Sequence, residues 1–117
     1  MDEKIKWYKV AEGKDTIEWQ LNNLALTEAG GRKITLARID NEILACAHKC
    51  PHAGGTLADG FVDALGDIVC PLHGYKFSLQ NGRNVSGEGY YLRTFEVEER
   101  EAGIFIGFEA STWLDIF

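Results

Sequence analysis

The sequence lacks the features that mark several large classes of protein. Its first six residues, Met1 to Lys6, are mostly charged and contain no apolar run, so we expect neither a secretion signal nor a membrane anchor. It also has no basic run, and 18 acidic against 12 basic residues give a formal charge of -6. Because proteins bind nucleic acid through clustered Lys and Arg, we do not expect a nucleic-acid partner.

Cysteine and proline are scarce, and their positions are informative. The chain has three Cys, and its two prolines, Pro51 and Pro71, directly follow Cys50 and Cys70. If those two Cys bind a metal, only Cys46 is left, so no intramolecular disulfide can form in the loaded protein and a reducing cytoplasm fits. Cys46 alternates with apolar neighbours and is predicted to be a small core residue.

Two short segments offer metal ligands. Cys50 and His52 form a Cys-x-His pair, Cys70 and His73 form a Cys-x-x-His pair, and 17 residues separate His52 from Cys70. Thiolate and imidazole ligands favour iron-sulfur, zinc or copper sites over calcium or magnesium sites. Two Cys and two His also suit tetrahedral zinc, but zinc modules usually keep like ligands together. In this chain each segment carries one ligand of each kind.

This arrangement resembles the Rieske family, in which two Cys hold one iron of a 2Fe-2S cluster and two His hold the other. The resemblance implies one Rieske-type 2Fe-2S cluster, with Cys50 and Cys70 on the buried iron and His52 and His73 on the outer iron. Two thiolates leave the oxidised cluster roughly neutral, so its potential lies above that of an all-Cys ferredoxin, at about -150 to +300 mV. The resemblance is specific in the two loops and looser elsewhere.

Four further positions indicate the low end of that range. The resemblance implies that high-potential members carry a disulfide between the loops, together with Ser and Tyr hydroxyls that hydrogen-bond to sulfur. The matching positions in this chain are Gly55 and Leu72 for the disulfide, Tyr75 for the Ser and Phe77 for the Tyr. Without such donors the reduced cluster is less stabilised. The loops therefore resemble those of Rieske-type ferredoxins rather than those of respiratory complexes.

Alternating short segments predict an all-β fold, an antiparallel sandwich or barrel. The resemblance adds a small cluster-binding subdomain at about residues 46–80 within a single domain, 1–117. Asp40-Asn41 is predicted as a hairpin turn, and residues 15–21 fit either a helical turn or a loop. The predicted strands cover residues 7–10, 22–27, 33–38, 42–48, 61–64, 67–69, 92–98 and 104–108.

The function that the resemblance implies is a soluble, cytoplasmic and monomeric one-electron carrier. It would pass electrons from a flavin-dependent reductase to an oxygenase or another terminal oxidoreductase. No Ser-His-Asp or paired-carboxylate arrangement can be assigned, so we expect an electron-transfer protein without catalytic residues of its own. Three alternatives stay open: a small subunit of an enzyme such as nitrite reductase, a zinc-stabilised binding module, and a degenerate Rieske domain that serves as a scaffold.

Two expectations concern the surroundings of the ligands. His48 lies outside both ligand pairs and is predicted to be a surface or hydrogen-bonded residue. Because imidazoles can keep one edge at the surface, we expect the redox partner to dock over His52 and His73, touching residues 53–54 and 74–75. The net charge of -6 should steer this encounter, and salt should slow it.

Overall fold

The computed structural model of the chain describes residues 5–51, 54–72, 74–85 and 89–109. None of the helices that these residues form is long or apolar enough to cross a bilayer. Two single-turn 3-10 helices occur, at Lys14–Thr16 and Leu57–Asp59. The strands are β1 Ile5–Ala11, β2 Leu24–Ala29, β3 Arg32–Ile39, β4 Glu42–Ala47, β5 Phe61–Val62, β6 Asp67–Val69, β7 Lys76–Ser78, β8 Thr94–Arg100 and β9 Gly103–Glu109.

Six strands form one antiparallel sheet in the order β1-β9-β8-β4-β3-β2. The sheet curls until its two edges approach each other. A Cβ added at Gly30, beside β2, would lie 2.9 Å from the ring of Tyr8 in β1. We call these six strands the half-barrel. The predicted all-β antiparallel fold of the Rieske-like type is confirmed.

Two-residue turns set the register of the hairpins in the half-barrel. Asp40 and Asn41 both have positive φ, 49° and 70°, as a turn of type I′ requires, and they join β3 to β4 where the sequence predicted a turn. Gly30 and Gly31, with φ of 58° and 81°, join β2 to β3 in the same way. These turns match the right-handed twist of the strands that they connect.

A second, three-stranded antiparallel sheet, in the order β5-β6-β7, lies between β4 and β8 in the chain. The strands predicted at residues 61–64 and 67–69 occur as β5 and β6 and pair with each other, whereas β7 was not predicted. Isolated bridges, Phe77 with Asn84 and Arg83 with Tyr91, extend the pairing beyond β7. We call residues 48–93, which include this sheet, the insert.

Strands β3 and β4 are buried on both faces, because one face lines the half-barrel and the other supports the insert. On β4, Ile43 and Ala45 belong to one cluster of buried hydrophobic residues, and Cys46 belongs to another. We call the cluster that contains Cys46 the interface core, and it includes both predicted ligand cysteines. Its buried members are Leu24, Ala37, Cys46, Cys50, Leu57, Ile68, Cys70, Phe77, Leu79 and Leu92.

Some element boundaries differ from those predicted. Strand β2 starts at Leu24 rather than at residue 22, because Asn23 has a φ of 65° and the N–H of Leu24 donates to the Asn22 side chain. Strand β8 starts at Thr94, since the N–H of Leu92 donates to Gly82 O at 2.8 Å instead of joining the sheet. Residues 15–21 combine the end of the first 3-10 helix with a loop.

Candidate metal centre

The two loops that carry the predicted ligands are built alike. The N–H of Cys50 donates to Gly55 O, five residues ahead, and the N–H of Cys70 donates to Tyr75 O, again five residues ahead, both at 2.8 Å. In each loop the residue four positions after the Cys is a glycine with φ of 72° or 71°. Because L side chains rarely adopt this conformation, glycine lets both loops turn back sharply.

The same symmetry holds at the base of the loops. Lys49 and Thr56 form an isolated bridge across the first loop, and Val69 and Lys76 pair across the second, each pair spanning seven residues. Each Cys therefore leaves a paired strand position and enters an equivalent turn. Sequence spacing did not reveal this equivalence, because the predicted His is at the second position after Cys50 but at the third after Cys70.

The two sulfur atoms are brought together inside the protein. Cys50 and Cys70 are both buried, and their side chains interact. Burial raises the pKa of the Cys70 thiol, and the Cys50 thiol raises it further. The backbone N–H groups of Leu72 and Gly55 donate toward the Cys70 sulfur and oppose this shift in pKa. Such donors stabilise negative charge on sulfur, as a metal thiolate requires.

Gly55 allows the two loops to approach closely. A Cβ at this position would lie 3.2 Å from Cys70 Sγ and 3.1 Å from Leu72 Cγ. Gly55 and Leu72 are the two positions that the sequence matched to the disulfide of high-potential proteins. The structure places them side by side.

The part of the chain that contains both cysteine loops matches the model of a known protein family. The model of the Rieske 2Fe-2S domain matches residues 6–95, which is most of the chain. The chain belongs to the Rieske 2Fe-2S domain family. The predicted resemblance is therefore confirmed.

Several of the similar proteins are ferredoxin components of oxygenase systems. The naphthalene 1,2-dioxygenase ferredoxin component of Pseudomonas putida is 25% identical over 79 residues, covering 68% of this chain and 72% of that protein. The 3-phenylpropionate/cinnamic acid dioxygenase ferredoxin subunit of Photorhabdus laumondii is 27% identical over 88 residues, covering 69% and 84%. A chain from the complex of reduced oxygenase and oxidized ferredoxin in carbazole 1,9a-dioxygenase superposes with a TM-score of 0.69, at 27% identity, covering 86% and 91%.

Family membership implies a Rieske 2Fe-2S cluster as the cofactor. The described residues fit one of the two irons of such a cluster. Two adjacent buried thiols, with backbone N–H groups donating toward the Cys70 sulfur, suit the ligation of that iron. His52 and His73 lie outside the described residues, as does Ala53. Within the described ranges no three His, Cys, Asp or Glu side chains are grouped to hold a metal, so the four-ligand set stays a prediction.

Phe77 and Tyr75 are next to the cysteines. Phe77 is completely buried in the interface core, and Tyr75 packs against that core from a partly buried position. The Phe77 side chain has no hydroxyl, so the position that the sequence matched to a sulfur-directed Tyr supplies no hydrogen bond. The core beside the thiols is correspondingly apolar.

Cys46 and His48, which the sequence placed outside the ligand set, differ in their burial. Cys46 is fully buried in the interface core, as predicted, and desolvation raises the pKa of its thiol to about 12. His48 is partly exposed, and among the described residues its Nδ1 has no hydrogen-bond partner. Desolvation, together with nearby Lys33 and Lys49, lowers the pKa of His48, so the neutral ring is favoured.

Two side chains that the sequence did not single out hold the insert on the half-barrel. Asn22 Nδ2 donates to Ala58 O and to Gly60 O, both at 2.9 Å, and Gln20 Nε2 donates to Ala58 O at 2.7 Å. Ala58 lies in the 3-10 helix that follows the first loop, and Gly60 is the residue directly after that helix. We call this arrangement the amide clasp. Nothing in the local sequence marks it, since its partners are 36 to 38 residues apart.

A separate cleft opens between β4 and β8. These strands pair only at Ala45 with Phe95 and at Cys46 with Thr94, and then diverge. The resulting space of about 360 Å³ is lined by polar and apolar side chains, including Glu42, Leu44, Glu96, Val97 and Glu109. Neither Cys50 nor Cys70 is among its described lining residues, so it is distinct from the metal centre.

Proposed function

We propose that this Rieske protein is a one-electron carrier that receives electrons from a flavin-dependent reductase and passes them to an oxygenase or another terminal oxidoreductase. The observation that carries the proposal is the pair of equivalent loops that bring two buried thiols together in a chain of this family. The two relatives from Pseudomonas putida and Photorhabdus laumondii are named as ferredoxin components of dioxygenase systems rather than as their catalytic subunits.

The proposed ligands are Cys50 and Cys70 for one iron and His52 and His73 for the other. When bound, the cluster takes up and releases one electron. The chain's own residues supply a water-poor pocket around the sulfurs and backbone donors from Leu72 and Gly55. None of them exchanges a proton with a substrate in this proposal, which assigns no catalytic residue.

The proposed potential is low for a Rieske cluster. Phe77 offers no hydroxyl, and Gly55 and Leu72 form no disulfide, so the reduced state lacks two sources of stabilisation. We expect a midpoint near the low end of the family range, about -150 mV. Potentiometric titration measures it, and a positive midpoint would contradict the low-potential assignment. Phe77→Tyr should raise the midpoint, provided that its hydroxyl reaches a ligand sulfur.

The proposal includes a cytoplasmic monomer with its cluster-binding subdomain at about residues 46–80. None of the three cysteines forms a disulfide, which suits a reducing compartment. The short strands of the second sheet lie inside the proposed subdomain range. Size-exclusion chromatography with light scattering measures the mass of the assembly, and a stable dimer would overturn the monomer.

The experiment that tests the function begins with anaerobic purification. The loaded protein should contain about two irons and two acid-labile sulfides per chain and, once reduced, show the low average g value of mixed His and Cys ligation. His52→Ala and His73→Ala should lose or alter the cluster, while the matched variant His48→Ala keeps its spectrum. Stoichiometric zinc without sulfide would support the zinc-stabilised module instead, and co-purification with a large enzyme would support the subunit alternative.

A further inference from the structure

The half-barrel is incompletely paired where β4 meets β8. In an antiparallel ladder, every second residue directs its backbone N–H and C=O toward the same neighbouring strand. The N–H of Ala47 donates to Arg93 O at 2.9 Å, on the side of β4 that faces β8. By alternation, Ala45 and Ile43 direct their backbone groups to that side as well. Ala45 is paired with Phe95 of β8, whereas the described pairing of the two strands does not reach Ile43.

Further along the two strands, Lys14 bridges the space between them. Its Nζ donates to Asn41 O, just before β4, and lies 3.4 Å from Glu99 Oε1 of β8. By the same alternation, Val97 of β8 directs its backbone N–H and C=O toward β4. The open stretch therefore lies between the paired residues and this lysine, with Ile43 on one side and Val97 on the other.

This open stretch coincides with the cleft of about 360 Å³ between β4 and β8. Ile43 and Val97 both line the cleft, and Gly107 of β9 lines it without a side chain to fill it. Leu44 and Leu79 add apolar surface. A backbone N–H or C=O that lies in a cleft without a partner costs free energy. The cleft therefore favours an occupant that brings a polypeptide backbone, with donors and acceptors of its own.

Three glutamates supply the charged part of the cleft, Glu42, Glu96 and Glu109. Among the described residues, none of these carboxylates has an ion-pair or hydrogen-bond partner. Glu98 differs, because its carboxylate accepts from Arg100 Nε at 2.7 Å. An ionised carboxylate only accepts hydrogen bonds. The occupant of the cleft should therefore bring side-chain donors as well as a backbone.

The chain itself continues from the cleft. Glu109 ends β9 and lines the cleft, and residues 110–117, which lie outside the described residues, follow it directly. Ser111, Thr112 and Trp113 each have a side-chain donor, and no proline interrupts the row of backbone N–H groups. A cube of the cleft's volume is about 7 Å on edge, and an extended chain advances about 3.3 Å per residue. The first four residues of this segment are therefore enough to cross the cleft.

We propose that residues 110–113 dock in the cleft, where their backbone pairs with Ile43 and Val97 and their side-chain donors bind the glutamates. This inference does not rest on the proposed electron-carrier function. The segment contains one charged residue, Asp115, and no cation, so added salt should weaken the docking little. Leu79 lines the cleft and belongs to the interface core with both loop cysteines. The docked segment thus links the end of β9 to the insert.

Fluorine NMR of the full chain labelled with 5-fluorotryptophan tests the docking. Trp7 and Trp19, both partly buried, are internal references for Trp113 in the same spectrum. A soluble gadolinium chelate accelerates the relaxation of exposed fluorine nuclei, and spectra without the chelate remove any contribution of a metal centre. The chelate should relax Trp113 about fivefold less in the folded chain than in urea. Shielding that falls on dilution would show that a second copy's segment fills the cleft, and would overturn the proposal.

A matched pair of variants locates the docked segment. Glu96 and Glu98 are both exposed residues of β8, two positions apart, and of the two only Glu96 lines the cleft. Glu96→Lys replaces an acceptor with a donor, so the relaxation of Trp113 by the chelate should rise about threefold. Glu98→Lys makes the same change of charge outside the cleft and should leave that relaxation unaltered. Equal effects of the two variants would overturn the cleft as the docking site.

Backbone hydrogen exchange gives a readout that does not depend on the label. The amides of Ile43 and Val97 should exchange slowly in the unmodified chain. Thr112→Pro removes a backbone and a side-chain donor, so both amides should exchange about tenfold faster. Ile116→Pro, beyond the four docked residues, should leave their exchange unchanged. Equal acceleration by both variants, or a Trp113 as accessible as in urea, would leave the cleft open to another protein's segment and overturn the proposal.

Discussion

The half-barrel and the insert are stabilised in different ways. Strands of the half-barrel are six to eight residues long, joined by tight turns and closed around their own core. Strands of the insert have two or three residues, too few for an independently stable sheet. The insert is therefore held by the interface core, by the amide clasp and, when loaded, by its metal. The insert, which carries both cysteine loops, therefore depends for its stability on contacts outside its own sheet.

The largest expected effect is that of Cys70→Ala, which should unfold the insert but not the half-barrel. Cys70→Ala removes a proposed ligand, so the cluster should be lost and the short strands of the insert should open, while the half-barrel stays folded. Amide hydrogen exchange should rise sharply in β5, β6 and β7 and change little in β2 and β3. Cys46→Ala is the control, since Cys46 lies in the same core but outside the loops, and it should keep the cluster. Equal loss in both variants would contradict the assignment of Cys70.

A smaller effect is expected where the loops meet. Gly55→Ala places a Cβ against Cys70 Sγ and Leu72 Cγ, which should destabilise the loaded protein by about 1 to 3 kcal/mol. Gly13→Ala is its control in the part of the chain outside the insert, because a Cβ there meets nothing within 4 Å. Cluster release under chelator measures the difference. Adding Leu72→Ala to Gly55→Ala should recover part of the loss, and an unimproved double variant would argue against the loop contact.

The amide clasp should show a graded effect. Asn22→Ala removes two donors to the insert and Gln20→Ala removes one, so the first should cost more, about 1 to 3 kcal/mol. Hydrogen exchange of the backbone amides of Asp59 and Gly60 should accelerate in the same order, because both residues lie in the segment that the amide clasp holds. Denaturant unfolding of both variants supplies the energies. A larger loss from Gln20→Ala would mean that the Asn22 contacts contribute little.

The smallest effect depends on pH. Burial raises the pKa of Cys46 to about 12 from an ordinary value of 9.0, so between these values the folded protein retains a proton that the unfolded chain releases. Stability from Cys46 is therefore complete below pH 9 and is lost as pH rises toward 12, on the order of 1 kcal/mol per pH unit. Cys46→Ala should lack this slope when unfolding is compared from pH 8 to 10.5. Parallel curves would show that Cys46 ionises equally in both states.

Local patterns were enough to locate the strands of the half-barrel, with ends that differ by up to two residues. Alternation placed β3 and β4 to within a residue, and Asp40-Asn41 takes the positive φ values of its predicted turn. Strand β7, Lys76–Ser78, was missed because it directly follows the second cysteine loop, with no turn signal to separate it from that loop. Its pairing with β6 comes from the loop between them.

What the sequence by itself determined is the family, the all-β fold and the cofactor, because two Cys and His pairs and alternating strands are local in the chain. What only the tertiary structure decided is how the loops are held. The approach of Gly55 to Leu72, the clasp from Asn22 to Gly60 and the meeting of Phe61 with the second loop join residues 8 to 38 positions apart. Such contacts depend on where each strand ends in space, which no short-range pattern records.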